Sequence, residues 1–422
     1  MAIDITKHRI LQAAYAPILA MAMAIMFGRL LVLAKVLDVE SFAELNAALI
    51  VSGLVGMLTS FGLFLDLQRK LPGQLAMGQR QAAATQIAQS ILGTATIALL
   101  GFAAAGLRLS VGSISPLAIG LGVFHGISQQ LFLIVTTESR SNNEPMRFAL
   151  QSLTRAVGMA IFAFPIAVAT GLSAAVIGAE SLVTLVSTLL ISRKVWNKLD
   201  IPLSVSFQLG LRSIGRINWG SMASLLMLSL AVTASGNMDR WLSSTKLPHD
   251  DFAHYSFAWI TLTAAFAVQG LINASVFPMI ARRSALHGKQ SAFRLTFLTA
   301  TGMVVAFLVA IAPCVYIADI AIKKFYPSYS AAIPLIPLLA VAAALRISDF
   351  WSSFLVITGN ERTSLIINVA AVASSLGAWV MTSGFFAGTQ ALGLAYLAAC
   401  VAALTYLCSF AASYRYAKFA NA

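Results

Sequence analysis

Charged side chains inside long apolar segments are the residues of this sequence best suited to chemistry. Arg29, Arg155 and Arg346 stand within such segments, and Arg240 lies near the end of another. A guanidinium presents a planar fork of donors that fits a phosphate or pyrophosphate, so these arginines are the candidate substrate-binding cations. The alternative interpretation is that they reach toward the membrane surface or form structural ion pairs.

Three acids are candidate partners or coupling groups. Glu180 lies within an apolar segment, and Asp239 directly precedes Arg240. Asp349 follows Arg346 by three positions, a spacing at which two side chains of one helix can neutralise each other. A site for a cationic drug would need unpaired acids, and Glu180 is the best candidate for that role.

Catalytic and metal-binding patterns do not stand out in the sequence. Cys314, Cys400 and Cys408 form no Cys/His cluster. His125 is alone in its segment, where a packed histidine is commoner than a base. Phosphate-loop and hydrolase signatures are also lacking. We therefore predict no catalytic residue, no metal and no cofactor, and we do not expect an enzyme.

The elements that position these residues are membrane helices. Hydrophobic residues make up 59% of the 422 residues and charged residues 10%, against about 25% charged in a soluble protein. A crossing helix needs about 20 apolar residues. Twelve segments meet that length, the first interpreted as a retained span rather than a signal peptide: 10–36, 42–65, 84–107, 113–137, 147–170, 172–192, 218–243, 252–280, 293–320, 330–357, 364–386 and 388–412.

The basic residues indicate the orientation of these spans. With both termini in the cytoplasm, most of the 28 Lys and Arg residues fall on the inner side, as the positive-inside rule requires. We interpret the net charge of +13 as this bias rather than as a signature of nucleic-acid binding. The outer side receives Lys35, Arg108, Arg240, Lys246, Lys323 and Lys324.

An internal repeat indicates two halves. Arg29 and Arg240 are separated by half the chain length, and so are Lys35 and Lys246. Six spans separate the matching helices, so the halves share one orientation. The sequence predicts an all-α integral membrane protein with twelve transmembrane helices in two parallel six-helix lobes around a central cavity, an arrangement typical of carriers.

The predicted lobes are residues 1–200 and 218–422, joined by a cytoplasmic linker at 201–217. Within the linker, Leu203, Phe207 and Leu211 recur at helical spacing. That spacing indicates an amphipathic helix on the inner membrane face. The alternative is an ordinary linker with chance periodicity.

Short stretches distributed along the chain resemble one family. They are Phe27-Gly28-Arg29, residues 34–42, Phe61-Gly62-Leu63, residues 237–240 with Tyr255, residues 276–278 and residues 357–362. These stretches resemble Wzx-type polysaccharide flippases of the multidrug/oligosaccharidyl-lipid/polysaccharide exporter (MOP) superfamily. Arg29 matches a position at which this superfamily often carries an arginine in its cavity.

The resemblance implies alternating access in a bacterial inner membrane. It implies an undecaprenyl-pyrophosphate-linked oligosaccharide as the substrate, moved to the outer leaflet for surface polysaccharide synthesis. The expected partners are the lipid bilayer, this anionic glycan and polysaccharide assembly proteins. One alternative is an exporter of another amphiphile, such as a drug, peptide or lipid. The other is a polysaccharide polymerase or ligase, which the short outer loops disfavour.

Overall fold

The computed structural model describes residues 2–105, 116–142, 144–382 and 390–418, which are almost entirely helical. Two 3-10 stretches, Ile214–Arg216 and Pro327–Leu335, accompany the α-helices. The helices are α1 (Ala2–Val36), α2 (Val39–Ser60), α3 (Leu63–Ala76), α4 (Arg80–Ala105), α5 (Pro116–Ser141), α6 (Pro145–Thr170), α7 (Ser173–Leu199), α8 (Leu203–Ser213), α9 (Trp219–Lys246), α10 (His249–Phe325), α11 (Ile336–Ile347), α12 (Phe350–Ile357), α13 (Glu361–Thr382) and α14 (Gln390–Lys418).

Eleven segments within the described residues are long and apolar enough to cross a membrane. The eighth predicted span, 252–280, corresponds to the first part of α10. Large apolar side chains such as Leu99, Leu298 and Met381 are exposed on these helices. A bilayer covers such side chains, so the chain is a multi-pass, all-α membrane protein, as predicted.

The chain separates into two compact units, Met1–Leu230 and Ala231–Ala422, called unit 1 and unit 2 below. The division falls inside α9, whereas the sequence places the start of the second lobe at the beginning of that helix, at residue 218. Unit 1 contains α1 to α8, and unit 2 contains α10 to α14.

Several span boundaries differ from the prediction. The span predicted at 42–65 ends at Ser60, because Phe61 (φ 43°) and Gly62 (φ 79°) take left-handed conformations and a separate helix, α3, follows. A Cβ on Gly62 would lie 2.3 Å from the Met222 carbonyl oxygen, so glycine is required there. The turn predicted near Gly171 is confirmed, since Gly171 (φ 65°) ends α6.

Two predicted spans of unit 2 are differently divided. The eighth and ninth run together as α10, interrupted by non-helical geometry at Gly288 (φ 77°). The tenth, predicted as one segment at 330–357, is a 3-10 stretch followed by α11 and α12. The division predicted between the eleventh and twelfth spans, 364–386 and 388–412, falls at residue 387, which lies outside the described residues.

Helices α2 and α5 of unit 1 pack backbone against backbone. A Cβ on Gly122 would lie 2.5 Å from the Ala48 carbonyl oxygen, and one on Gly126 would lie 2.4 Å from that of Ser52. This Gly-x-x-x-Gly pattern lets two membrane helices approach backbone to backbone. The packing places His125 of α5 against Ser52 of α2.

Ion pairs fix the ends of α5, α6 and α7 in unit 1. Arg147 contacts Glu138 and also lies 3.0 Å from Glu144, through Nε and Oε2. Lys198 contacts Glu144 in turn. These ion pairs keep α5, α6 and α7 in a fixed register. The three helices carry buried polar residues that are described next.

Candidate functional site

Arg29 and Glu180 form a buried ion pair in unit 1. Arg29 Nη1 of α1 lies 2.6 Å from Glu180 Oε2 of α7, and neither side chain is more than 7% exposed. Opposite charges at this distance attract each other strongly when both groups are buried. The pair joins two of the residues predicted from the sequence as a cavity cation and a coupling acid.

His125 extends this pair toward α2. Its Nε2 lies 3.9 Å from Glu180 Oε2, and its Nδ1 shares a 2.8 Å hydrogen bond with Ser52 Oγ. His125 Nε2, Arg29 Nε and Glu180 Oε1 are buried without a hydrogen-bond partner among the described residues. A polar atom buried without a hydrogen bond is energetically costly. These three atoms can therefore form hydrogen bonds with a further ligand, and the carboxylate can accept a proton.

Arg155 lies beside this group on α6. Its Nη2 donates to Gln129 Oε1 at 2.7 Å, and its Nε donates to Thr184 Oγ1 at 3.3 Å. Its guanidinium carbon stands 4.7 Å from the centre of the Phe132 ring. These contacts are with neutral groups, so they orient the Arg155 charge without cancelling it.

We call Arg29, His125, Arg155 and Glu180, with their hydrogen-bond partners, the unit 1 cluster. It contains two guanidinium charges and one carboxylate, so its fixed charge is positive. All four side chains are buried, where charges interact more strongly than in water. An anion would be attracted to this cluster, and a cation would be repelled by it.

Asp239 organises a second group, in unit 2. Its Oδ2 accepts hydrogen bonds from the Tyr255 hydroxyl at 2.6 Å and from Trp259 Nε1 at 3.0 Å. The neighbouring Arg240 stacks over the Trp259 ring at 4.5 Å. The predicted residues Asp239 and Arg240 of α9 are thus both held against the same helix, α10.

Arg346 ties α11 to α9 through the main chain. Its Nη1 donates to the Gly236 carbonyl at 2.6 Å and its Nη2 to the Ser235 carbonyl at 3.0 Å. Its guanidinium carbon lies 5.7 Å from the Phe266 ring. Arg346 therefore bridges α11 and α9 through main-chain carbonyls.

The predicted arrangement of Arg346 and Asp349 on one helix face is wrong. Helix α11 ends at Ile347, and Asp349 is the N-cap of α12, where it accepts from Ser352 N at 3.2 Å and from Ser352 Oγ at 2.6 Å. Asp349 accepts a hydrogen bond from the backbone of the first turn of α12 and does not pair with Arg346 along one helix. The spacing rule failed because the helix is interrupted between the two residues.

A cavity of about 190 Å³ lies inside unit 2 at this interruption. It is lined by both Arg346 and Asp349, and by the polar side chains of Ser235, Gln269, Ser352 and Asn368. Ser235 Oγ donates to Asn368 Oδ1 at 2.7 Å, and Gln269 Nε2 donates to the Arg346 carbonyl at 2.7 Å. The polar lining suits water or another small polar species.

Comparison with known proteins assigns the fold. No family model and no curated protein matches the chain, but solved structures do over nearly its full length. An inward-facing multidrug resistance MATE family transporter of the MOP superfamily matches with a TM-score of 0.66 and 13% identity, covering 94% of each chain. The lipid II flippase MurJ in an inward closed conformation matches at 0.61 and 13%, covering 95% of this chain and 87% of that one.

The chain shares the fold of these two structures. A third structure with this fold is a MOP superfamily transporter from Pyrococcus furiosus, at a TM-score of 0.63 and 14% identity, covering 96% of this chain and 95% of that one. That transporter is described as having a binding pocket of reversed polarity, which suggests a different function for it.

Sequence reasoning missed several residues of these groups. His125 was interpreted as an isolated packed residue, although the Gly122 and Gly126 pattern beside it signals a close helix approach. Gln129 and Thr184 carry no charge, and Trp259 lies outside the repeat, so no sequence signal identified them. The predicted residues form two groups, one in each unit: Arg29, Arg155 and Glu180 in unit 1, and Asp239, Arg240, Arg346 and Asp349 in unit 2.

Proposed function

We propose that this protein is a flippase that moves an undecaprenyl-pyrophosphate-linked oligosaccharide across a bacterial inner membrane for surface polysaccharide synthesis. It works by alternating access, with both termini in the cytoplasm. The fold supports a carrier, and a lipid II flippase is among the structures that share it. The substrate class rests on the charge of the buried residues.

The observation that carries this proposal is the surplus positive charge of the unit 1 cluster. Arg155 is oriented by Gln129 and Thr184, which are neutral, while the direct ion pair of Glu180 is with Arg29, and one carboxylate cannot balance two guanidinium charges. A pyrophosphate supplies the missing negative charge, and a guanidinium can bind it through two parallel hydrogen bonds. Arg155 is thus the primary substrate cation of this unit.

Arg29 acts as a second cation that Glu180 controls. While Glu180 is ionised, the 2.6 Å contact holds Arg29. A proton on Glu180, or an arriving pyrophosphate, weakens that contact and makes Arg29 available to the substrate. Glu180 is therefore the proposed coupling acid of unit 1, and Asp239 and Asp349 are the acids of unit 2 that could serve the same purpose.

The second candidate is an exporter of a cationic amphiphile. Multidrug MATE transporters share the fold, and Glu180 Oε1 is buried without a hydrogen-bond partner among the described residues. A cationic drug could bind that carboxylate only if Arg29 moved away. The contact between Arg29 and Glu180 weighs against this candidate.

Deletion of the gene distinguishes the two candidate functions. A flippase mutant accumulates the complete lipid-linked saccharide on the cytoplasmic face and loses surface glycan. A drug exporter mutant keeps its surface glycan and becomes sensitive to cationic drugs, and that outcome would overturn the proposal.

Complementation of the deletion tests the assigned residue. The Arg155→Gln variant should fail to restore surface glycan, whereas the control Arg140→Gln, which changes an exposed arginine of α5, should restore it.

A further inference from the structure

Helix α8 has an exposed apolar side and an exposed basic end that no described residue covers. It occupies Leu203–Ser213, between α7, which ends at Leu199, and α9, which begins at Trp219. Both flanking helices are candidate membrane spans. Three residues connect α7 to α8, so the first residue of α8 lies within about 14 Å of the end of a membrane span.

One face of α8, which carries small residues, packs closely against α4. Ser206 and Gly210 are buried, and a Cβ on Gly210 would lie 3.0 Å from Gln89 N. Gln89 Nε2 donates to the Ser213 carbonyl at 3.1 Å. Phe207 packs on Trp196 of α7, with the ring centres 5.8 Å apart. The helix therefore has a fixed rotation about its own axis.

This rotation leaves apolar side chains uncovered. Leu203 is 52% exposed and Leu211 is 63% exposed, and both lie on the stripe that includes Phe207. In water, an exposed apolar stripe of this kind is unfavourable. The acyl region of a bilayer beside the ends of α7 and α9 would cover it.

Basic residues surround the same helix. Arg212 and Arg216 are exposed at its C-terminal end, and Arg193 and Lys194 are exposed near the end of α7, which contacts α8 through Trp196. Trp219, at the start of α9, is also exposed. Tryptophan and basic residues are typical of the layer where lipid headgroups meet water.

We propose that α8 lies in the headgroup layer of the membrane and that its basic end binds anionic phospholipid headgroups. Leu203 and Leu211 enter the acyl boundary, while Phe207 stays packed on Trp196 and Arg212 and Arg216 contact lipid phosphates. Apolar contact and attraction to anionic lipid together hold an amphipathic helix at a membrane surface. The occupant is a lipid surface because the short connections hold α8 beside the membrane whether or not another protein is present.

The first test measures the depth of the stripe in reconstituted vesicles. Cys314, Cys400 and Cys408 are the cysteines of the chain and are replaced by serine. A nitroxide label is then placed at Leu211→Cys or, as the control on the adjoining polar face, at Gln208→Cys. The label at 211 should be severalfold more accessible to dissolved oxygen, relative to a water-soluble nickel chelate, than the label at 208.

Equal access of the nickel chelate to both labels would overturn the lipid contact. The vesicles contain only this protein. Equal access is therefore also the result expected if a separate protein, rather than lipid, normally covers α8.

The cysteine-free protein is shown to be folded by its elution as a single species before labelling.

The second test separates headgroup charge from apolar contact. Hydrogen exchange of residues 203–213 is compared in discs of phosphatidylcholine and in discs that also contain phosphatidylglycerol. The anionic lipid should slow exchange by about tenfold, since a basic residue near an anionic surface is attracted to it. High salt should reduce the difference.

Arg212→Gln with Arg216→Gln should abolish the effect of phosphatidylglycerol. Arg415→Gln with Lys418→Gln is the matched control, since it removes two exposed basic residues from the end of α14, and it should leave the effect intact. If the Arg212 and Arg216 variant still responds to phosphatidylglycerol as the unchanged protein does, the headgroup contact is overturned.

Discussion

Arg29 Nη1 lies 2.6 Å from Glu180 Oε2, so the arginine that the sequence presents as a free cavity cation is held by an acid of another helix. Both residues are buried, and the contact joins α1 to α7 within unit 1. A buried pair of this kind is not in itself a strong source of stability, but loss of one partner leaves the other charge stranded. The effect of the pair on stability can therefore be measured separately from its effect on the proposed transport.

Arg29→Ala should lower the free energy of unfolding by about 3–5 kcal/mol, because Glu180 remains buried without its counter-charge. Arg29→Lys should preserve most of the stability and part of the transport. The double variant Arg29→Met with Glu180→Leu should recover stability yet remain inactive. Thermal unfolding in detergent, measured beside a flipping assay, checks all three. Full transport by the stable double variant would remove Arg29 and Glu180 from the mechanism.

Arg155→Gln should abolish transport while costing less stability than Arg29→Ala. Its partners Gln129 and Thr184 are neutral, so no ionised acid is left without a direct contact. Arg155→Lys should keep the charge but lose the two-pronged contact, leaving partial activity. Transport rates in vesicles, normalised to the amount of folded protein, provide the measurement. An Arg155→Gln variant that transports normally would contradict the assigned role.

Gly126→Ala should destabilise unit 1 by about 1–3 kcal/mol, the usual cost of overpacking. The added Cβ would lie 2.4 Å from the Ser52 carbonyl oxygen, which belongs to the backbone of α2 and cannot simply turn away. Gly120→Ala, in the same helix, meets nothing within 4 Å and is the control. Melting temperatures of the two variants should differ by several degrees, and equal values would argue against the close approach of α2 and α5.

Arg346→Lys should weaken the connection between α11 and α9. One ammonium group cannot reproduce the planar fork that donates to both the Ser235 and Gly236 carbonyls. Hydrogen exchange should increase around residues 235–240, by more than in the control Lys324→Arg, which changes an exposed residue at the end of α10. Unchanged exchange in that region would show that the two hydrogen bonds do not restrain α9.

Membrane residence and the helical segments could be predicted from the sequence because composition and span length are local properties. The turn at Gly171 was predictable for the same reason. The break between Arg346 and Asp349 was not predicted, because polar residues at 346, 348 and 349 are compatible both with one long span and with a new helix capped by Asp349. The pairing of Arg29 with Glu180 depends on how distant helices pack, which spacing along the chain does not reveal.

The same limit applies to the charge of the site. Three arginines, Arg29, Arg155 and Arg346, were identifiable as intramembrane cations, but their individual roles depend on their neighbours. Arg29 contacts an acid, Arg155 contacts neutral side chains and Arg346 contacts main-chain carbonyls. These three environments distinguish residues that the sequence treats alike.

The most direct test of an anionic cargo is a flipping assay in vesicles that contain only this protein. A fluorescent polyprenyl-pyrophosphate saccharide and a cationic amphiphile of similar size are supplied in parallel. The protein should move the pyrophosphate lipid, Arg155→Gln should abolish that movement, and the cationic amphiphile should remain in its original leaflet. Movement of the cationic amphiphile alone, unaffected by Arg155→Gln, would contradict the proposed function.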